Sequence, residues 1–265
     1  MQFVKLEPPG TLCQHAAIFD MLKGIHAHSF VEVGCGTGDL SYKLCQRGYT
    51  GVGIDFSDSA LEQAEHKLKP YLVSGQFRLL KSDLRDLDRL AEYTHQFDLA
   101  LSMMVMEHVA DDAGFVCNLS QLVKDHGHVL LGVPGRRDRW GIEDETVGHL
   151  RRYERDELAH KMQTQLSQVR VWSVAVPVAN LLFFAGNQLL RRSDEVHKRR
   201  LSVEDQTKTS GLQAIPFKTV FPASFSLVLN RFTLSPLFLL QRLFYPTRLG
   251  LTLLGLGQLR RAEPR

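Results

Sequence analysis

Cysteine is scarce in this 265-residue chain and poorly placed for chemistry. The four thiols, Cys13, Cys35, Cys45 and Cys117, form no CxxC pair and no His/Cys group with zinc spacing, which excludes a zinc ribbon and a dithiol redox centre. An apolar run long enough to cross a bilayer, about 20 residues, is missing as well. Val171 to Leu190 is uncharged but broken by Pro177, Asn180, Asn187 and Gln188, and the later leucine-rich stretches are broken by Arg231, Arg242, Pro246 and Arg248. Met1 to Pro9 holds Lys5 and Glu7 and no apolar core, so we expect no signal peptide, a cytoplasmic setting and reduced thiols. Acidic residues are absent from Gln206 to Arg261, although that stretch carries Lys208, Lys218, Arg231, Arg242, Arg248, Arg260 and Arg261. Neither an internal repeat nor a low-complexity tract occurs.

What is present is an ordinary globular composition, 44% hydrophobic and 23% charged, with the charge unevenly spread. Residues 1–150 hold 14 Lys/Arg against 21 Asp/Glu, a balance of −7, whereas residues 151–265 hold 18 against 8, a balance of +10. Such a division separates two roles. We expect a first domain over residues 1–176 and a basic, apolar-rich region over residues 177–265. In the first, apolar runs ending in glycine or aspartate alternate with helical patterns. Strands are expected over Ser29–Val33, Gly51–Ile54, Gln76–Leu80, Phe97–Ser102, Gly127–Val133 and Val169–Val176. Helices are expected over Leu12–Gly24, Asp39–Arg47, Asp58 to Lys69, Asp86–Tyr93, Ala110–Lys124 and Glu154–Gln163, with Asp58 as a cap, Pro70 as a stop and Arg136–Leu150 as a loop. The alternation predicts an α/β, doubly wound parallel sheet with helices on both faces, right-handed crossovers and a ligand at the carboxyl ends of the strands. After it we expect a mainly helical C-terminal extension.

The first strand runs into Gly34-Cys35-Gly36-Thr37-Gly38 and then a helix. Glycines there let a ligand approach the backbone, and the helix start offers unpaired N–H groups to an anion. Asp55, 21 positions beyond Gly34 at the end of the second strand, suits a ribose diol. These features fit any adenosine cofactor, NAD included. The spacing is GxGxG rather than GxGxxG, and Glu32 precedes it by two positions. Val31 to Gly38 resembles motif I of the class I S-adenosylmethionine-dependent methyltransferases. The resemblance continues in order through Gly53-Ile54-Asp55-Phe56-Ser57, Lys81-Ser82-Asp83-Leu84, and Phe97-Asp98-Leu99 to Met106-Glu107-His108-Val109. It covers roughly residues 28–135 and implies a Rossmann-like methyltransferase sheet with S-adenosyl-L-methionine as cofactor. It implies that Glu32 fixes the loop and reaches the methionyl ammonium through water. Gly34, Cys35, Gly36 and Gly38 then contact the methionyl part. Asp55 takes the ribose with Phe56 beside the adenine, Asp83 and Leu84 take the adenine, and Met103 lies near the sulfonium. Cys35 reads as a small loop filler rather than a nucleophile. Ubiquinone-type relatives carry an acidic residue near position 104, sometimes linked to a metal. Met104 stands there, so no metal is expected.

For the acceptor side, Gly148-His149-Leu150-Arg151-Arg152-Tyr153 resembles a segment of several small-molecule methyltransferases. His149 is the candidate for a base, the imidazole being the side chain suited to that role near neutral pH, and Arg152 and Tyr153 are the substrate-contact candidates. The other reading of these residues is structural: His149 and Tyr153 pin the loop while Arg152 pairs with Asp144 or Glu145. Glu107 and His108 likewise read either as catalytic or as organisers of the turn. The function expected is methyl transfer to an oxygen or carbon nucleophile of a small-molecule or lipid-like acceptor, with a non-catalytic S-adenosylmethionine-binding protein as the alternative. Nucleic acid is not expected as a partner, because Ser102-Met103-Met104-Val105 stands where base methylation uses an Asn/Asp-Pro-Pro-Tyr/Phe signature. In the basic region, Ser235 with Pro236 can open a helix through Leu237-Phe238-Leu239-Leu240 to Tyr245, followed by a second leucine-rich segment over Leu249–Leu259. Basic and apolar residues together suit contact with an anionic membrane surface at its inner face, without crossing it; the other readings of these segments are the lid and core of the acceptor pocket, or a dimer interface.

Overall fold

The structure, a computed structural model, describes residues 3–5, 7–83, 90–177, 180, 220–222 and 232–260. Leu84, the apolar stretch beyond Pro177 apart from Asn180, the charged connector 191–200, Lys208, Lys218, Arg231 and Arg261 lie outside the described residues.

Strand β2 (Ser29–Val33) is buried along almost its whole length, as expected of a central strand in a two-faced sheet. It pairs in parallel with β3 (Thr50–Asp55) on one side and β5 (Phe97–Met103) on the other. Outside these lie β4 (Phe77–Lys81), parallel to β3, and β6 (Val123–Pro134), parallel to β5. Alternate residues enter opposite layers. Val31, Val33, Ala100, Val129 and Leu131 join the core holding Phe115, Leu119, Leu158 and Met162. Phe30, Leu99, Leu101 and Leu130 join the one holding Ile18, Met21, Leu44 and Leu68. The second layer is supplied by α1 (Pro9–Met21), α2 (Asp39–Cys45) and α3 (Asp58–Val73), and the first by α4 (Asp112–Gln121) and, beyond α5 (Ile142–Val147), α6 (Arg155–Gln163). A separate antiparallel pair joins β1 (Phe3–Lys5) to β8 (Val220–Pro222).

Three local expectations are corrected. Helix α3 is capped by Ser57, whose Oγ accepts from the Ala60 N–H at 3.4 Å, and it runs through Pro70 to Val73. Lys69 and Pro70 are exposed, so water can satisfy the His66 carbonyl that proline leaves without a donor. The expected loop 136–150 contains α5, six residues closed by Gly148 in the left-handed region at φ 78°. The largest correction concerns the C-terminal region. Residues 252–259 are strand β9, hydrogen-bonded between β6 and β7 (Leu166–Val174) and antiparallel to both. The full sheet has the order β4-β3-β2-β5-β6-β9-β7. The sheet domain therefore takes back a segment placed in the region 177–265, and residues 175–251 are an excursion between its last two strands. Gly255 and Gly257 explain the fit. A Cβ on Gly255 would stand 2.3 Å from Met162 Sδ, and one on Gly257 would stand 2.9 Å from Leu166 Cβ. Glycine at period two lets this strand lie against α6 and β7, while Leu254 and Leu256 fill the other layer.

The helix expected after Ser235 is present as α7 (Ser235–Gln241), continuing as a 3₁₀ turn over Arg242–Phe244. Among the described residues no helix is long and apolar enough to cross a membrane.

Candidate active site

The carboxyl ends of β2 and β3 meet at the glycine loop. Gly34, Gly36 and Gly38 have φ of 74°, 51° and 75°, the left-handed region that favours glycine. The three differ in what surrounds them. A Cβ on Gly34 would meet Val105 Cγ2 at 2.3 Å and one on Gly38 would meet Leu68 Cδ1 at 2.6 Å, so those two glycines are demanded by packing. A Cβ on Gly36 would meet nothing within 4 Å, and the loop is open there to a ligand. The Gly36 N–H donates to Asp55 Oδ2 at 2.8 Å and the Ser57 N–H to Oδ1 at 2.9 Å. Asp55, buried at the end of β3, thus fixes the loop and keeps acceptor capacity on both oxygens for a diol. Phe56 follows it on the exposed side, 38% accessible. The Ser82 N–H donates to the Asp55 carbonyl at 3.1 Å, which places Asp83 beside the same edge.

Glu32 lies beneath the loop, fully buried, accepting from Ser41 Oγ at 2.5 Å. Burial pushes its carboxyl up to about 8, against the pull of that hydrogen bond. The folded state therefore holds a proton that the unfolded chain releases near 4.5. The contribution of Glu32 to stability is full below that value and is lost as pH rises through about 8. Denaturant unfolding across that window should show a falling stability that Glu32→Gln flattens; an unchanged slope in the variant would remove Glu32 as its source. Cys35 is buried with its Sγ toward Gly53, and burial pushes its thiol far above the ordinary range, which leaves it a filler and not a nucleophile. Met103 ends β5 with its thioether against Gly132.

A second group of residues forms where β5 and β6 end. A 3₁₀ turn over Met106–His108 meets the segment after α5, with the Leu150 N–H donating to the Glu107 carbonyl at 2.9 Å. His149 Nδ1 lies 2.7 Å from Asp144 Oδ1, which also accepts from Arg152 Nε at 2.8 Å, while Asp144 Oδ2 accepts from the Gly141 N–H at 2.9 Å. Burial works against charge on Asp144, but the hydrogen bonds from His149 and Arg152 hold its carboxyl below the usual range. Asp144 is therefore an acceptor, the proton of His149 sits on Nδ1, and Nε2 presents its lone pair. That nitrogen is 3.6 Å from Glu107 Oε1. Glu107 is completely buried, neither carboxyl oxygen has a hydrogen-bond partner, and burial pushes it up to about 7. His108, with Nδ1 3.1 Å from the Gly148 carbonyl, meets the His149 ring edge to face at 4.9 Å.

The structural reading holds for Arg152 and Tyr153, which correct the substrate assignment. Arg152 is buried between Asp144 and the Gly135 carbonyl, to which its Nη1 donates at 3.0 Å. Tyr153 has no accessible surface, and its hydroxyl donates to Asp112 Oδ2 at 3.1 Å. Both hold the segment that carries His149. No metal is expected from Met104, but three side chains near it converge. Glu107, His108 and His149 each offer one ligand atom, and these lie within 4.8 Å of one another. Sequence reasoning missed Asp144 as the orienting partner of His149, and Ser41 on Glu32. The only signal was their spacing: Asp144 lies on a short helix ending just before His149.

Residues 31–131 match a family model described as a methyltransferase domain. The chain is 36% identical over 110 residues to a ubiquinone biosynthesis O-methyltransferase of Leptothrix cholodnii, a match spanning 41% of this chain and 45% of that protein. It is 32% identical over 136 residues to a mitochondrial ubiquinone biosynthesis O-methyltransferase of Arabidopsis thaliana, spanning 49% of this chain and 39% of the relative. The chain thus spans about half the length of the curated relatives it matches. Its fold resembles phosphoethanolamine N-methyltransferase 2 of Haemonchus contortus in complex with S-adenosyl-L-methionine, at a TM-score of 0.57 and 14% identity, covering 97% of this chain and 54% of that one. A methyltransferase of Thermotoga maritima gives 0.54 at 15% identity, covering 94% and 89%. The motif order and the sheet order agree with these likenesses: residues 31–131 match the methyltransferase domain, and the fold is that of S-adenosylmethionine-dependent methyltransferase structures.

Proposed function

We propose that the chain transfers a methyl group from S-adenosyl-L-methionine to an oxygen or carbon nucleophile of a small-molecule or lipid-like acceptor, working on the cytoplasmic side at the inner face of a membrane. One observation carries the reading: an open glycine loop tied to Asp55 shares the carboxyl edge of the sheet with a polar group built on Glu107, Asp144 and His149. When bound, the cofactor supplies a methyl group on a sulfonium sulfur. Asp55 would hold the ribose end and Asp83 the adenine end, the Gly34–Gly38 loop would meet the methionyl part, and Glu32 supports the loop from below. The displacement itself is in line, and alignment contributes about 7–11 kcal/mol to such a step. His149, with Nδ1–H on Asp144, takes the acceptor proton at Nε2, and Glu107 beside it steadies the positive charge that results.

His149→Ala is expected to lower turnover by about 10²–10⁴-fold, the usual contribution of a general base, while S-adenosylmethionine affinity by calorimetry stays nearly the same. Full activity, or loss of cofactor binding, would return His149 to a purely structural role. A second reading is favoured by the convergence of Glu107, His108 and His149. In it the three hold a divalent cation that polarises the acceptor hydroxyl. Dialysis against a chelator, followed by turnover and by manganese titration, separates the two. Unchanged turnover supports the base, whereas loss restored by metal supports the cation.

A further inference from the structure

The pair formed by β1 and β8 is small and stands apart from the main sheet. Its antiparallel register sets Phe3 against Pro222, Val4 against Phe221 and Lys5 against Val220. Two short strands alone are marginally stable in water, so the pair depends on what ties it down. The tie nearest in sequence is Glu7, two positions beyond β1. Its Oε2 accepts from Lys43 Nζ of α2 at 2.8 Å, and its Oε1 lies 3.3 Å from His15 Nδ1 of α1. Burial opposes charge on Glu7, but His15 and Lys43 hold its carboxyl down to about 2, so the tie to Lys43 stays charged at neutral pH. Its other half is weaker. Glu7 Oε1 and His15 Nδ1 are both buried, yet no aligned hydrogen bond satisfies either. Buried polar atoms left in that state cost stability, which makes the contact one that releases readily.

The tie sits at the carboxyl edge of the main sheet. Helix α1 runs from that edge towards the other. Near its start, Gln14 Nε2 donates to Thr252 Oγ1 at 2.9 Å, and Thr252 pairs with Pro134 at the carboxyl end of β6. At its end, the Met21 carbonyl accepts from Arg170 Nη2, well before Val174 at the carboxyl end of β7. The chain preceding Pro9 therefore lies at the carboxyl edge. Lys43 is five positions beyond Gly38, about 7.5 Å along α2 at a rise of about 1.5 Å per residue. Lys5 is two residues from Glu7, at most about 7 Å of extended chain. The strand pair thus stands beside the glycine loop, whose face at Gly36 is open. Because β8 belongs to the excursion over residues 175–251, the pair joins that excursion to the strand before α1 at the edge where the cofactor binds.

We propose that the β1–β8 pair is a strap at the mouth of the cofactor site, latched by Glu7 through Lys43 and His15 and opened each time S-adenosylmethionine enters or its demethylated product leaves. The identity of that ligand rests on the methyltransferase reading. The double variant Val4→Cys/Phe221→Cys in the full chain tests the strap. The two positions face each other across the pair, and cross-strand Cα separations of about 4.5–5.5 Å suit a disulfide. With the bond formed, release of radiolabelled S-adenosylmethionine into excess unlabelled ligand is expected to slow at least roughly tenfold, as when opening of a lid limits release, and a reductant restores it. Glu7→Gln keeps both strands and removes the charge of the latch, so release should quicken roughly two- to fivefold, the effect of losing a partly exposed ion pair. Equal release from the oxidised and reduced forms would overturn the proposal. So would unchanged release from Glu7→Gln, or failure of the two introduced thiols to join under oxidant, which would show that the strands are not adjacent. Calorimetry of the reduced double variant keeps the readings apart. No heat from S-adenosylmethionine contradicts the methyltransferase reading and the strap with it, whereas binding with release that oxidation leaves unaltered contradicts the strap alone.

Discussion

Replacing Asp144 with alanine is expected to destabilise the fold by about 3–5 kcal/mol, the cost of removing one partner from a buried ion pair. Asp144 is wholly buried and accepts from Arg152 Nε at 2.8 Å. Arg152 is itself buried, and the substitution removes the carboxylate its Nε donates to. The same substitution frees the Gly141 N–H at the start of α5 and the Nδ1–H of His149. At about 2–4 °C of melting temperature per kcal/mol for a chain of this order of size, the effect is easily read by thermal unfolding. Asp144→Asn keeps an acceptor on one side only, for either the Gly141 N–H or the His149 Nδ1–H, and removes the charge, so its loss should fall between wild type and alanine. A melting temperature within about a degree of wild type for the alanine variant would show that Arg152 finds another partner and that the segment 141–149 is not held through this carboxylate.

Asp55→Ala is expected to weaken S-adenosylmethionine binding by about 1.5–3 kcal/mol, the range for a hydrogen bond involving a charged group, or roughly 10–150-fold in Kd. Two effects add here. The carboxylate is the acceptor placed for a ribose diol, and it also ties Gly36 to Ser57, so its loss loosens the loop the cofactor must meet. Asp55→Asn separates them, because an amide oxygen can still accept from Gly36 but carries no charge for the diol. Calorimetry on both variants measures the difference, and an affinity equal to wild type in the alanine variant would place the ribose elsewhere.

The sequence is most legible where one strand is buried on both faces and ends in glycine or aspartate. Ser29–Val33 is found in full, and the glycine loop and Asp55 follow from it. Pro70 misleads because it sits on an exposed turn, where a missing donor costs little. The segment 252–259 misleads for another reason. Thr252-Leu253-Leu254-Gly255-Leu256-Gly257 is apolar on both faces, so the alternation that marks a half-buried strand is hidden. The glycines at 255 and 257, two apart, are the remaining trace of period two. Moreover, β9 enters the sheet between strands far earlier in the chain, which local pattern cannot reveal. In the site, the cofactor edge is legible because its motifs are contiguous. The group around His149 is not, because Glu107 and Asp144 come to it from separate turns. Tyr153 looks like a contact residue in the sequence, yet it is buried because Asp112, from the start of α4, lies within reach of its hydroxyl.

The central claim is the identity of the cofactor, and titration calorimetry of the full chain with S-adenosylmethionine, S-adenosylhomocysteine and NAD tests it most directly. The glycine spacing, the open face at Gly36 and the placement of Asp55 predict binding of the first two and none of the third. Tight binding of NAD with no heat from either adenosyl ligand would contradict the account.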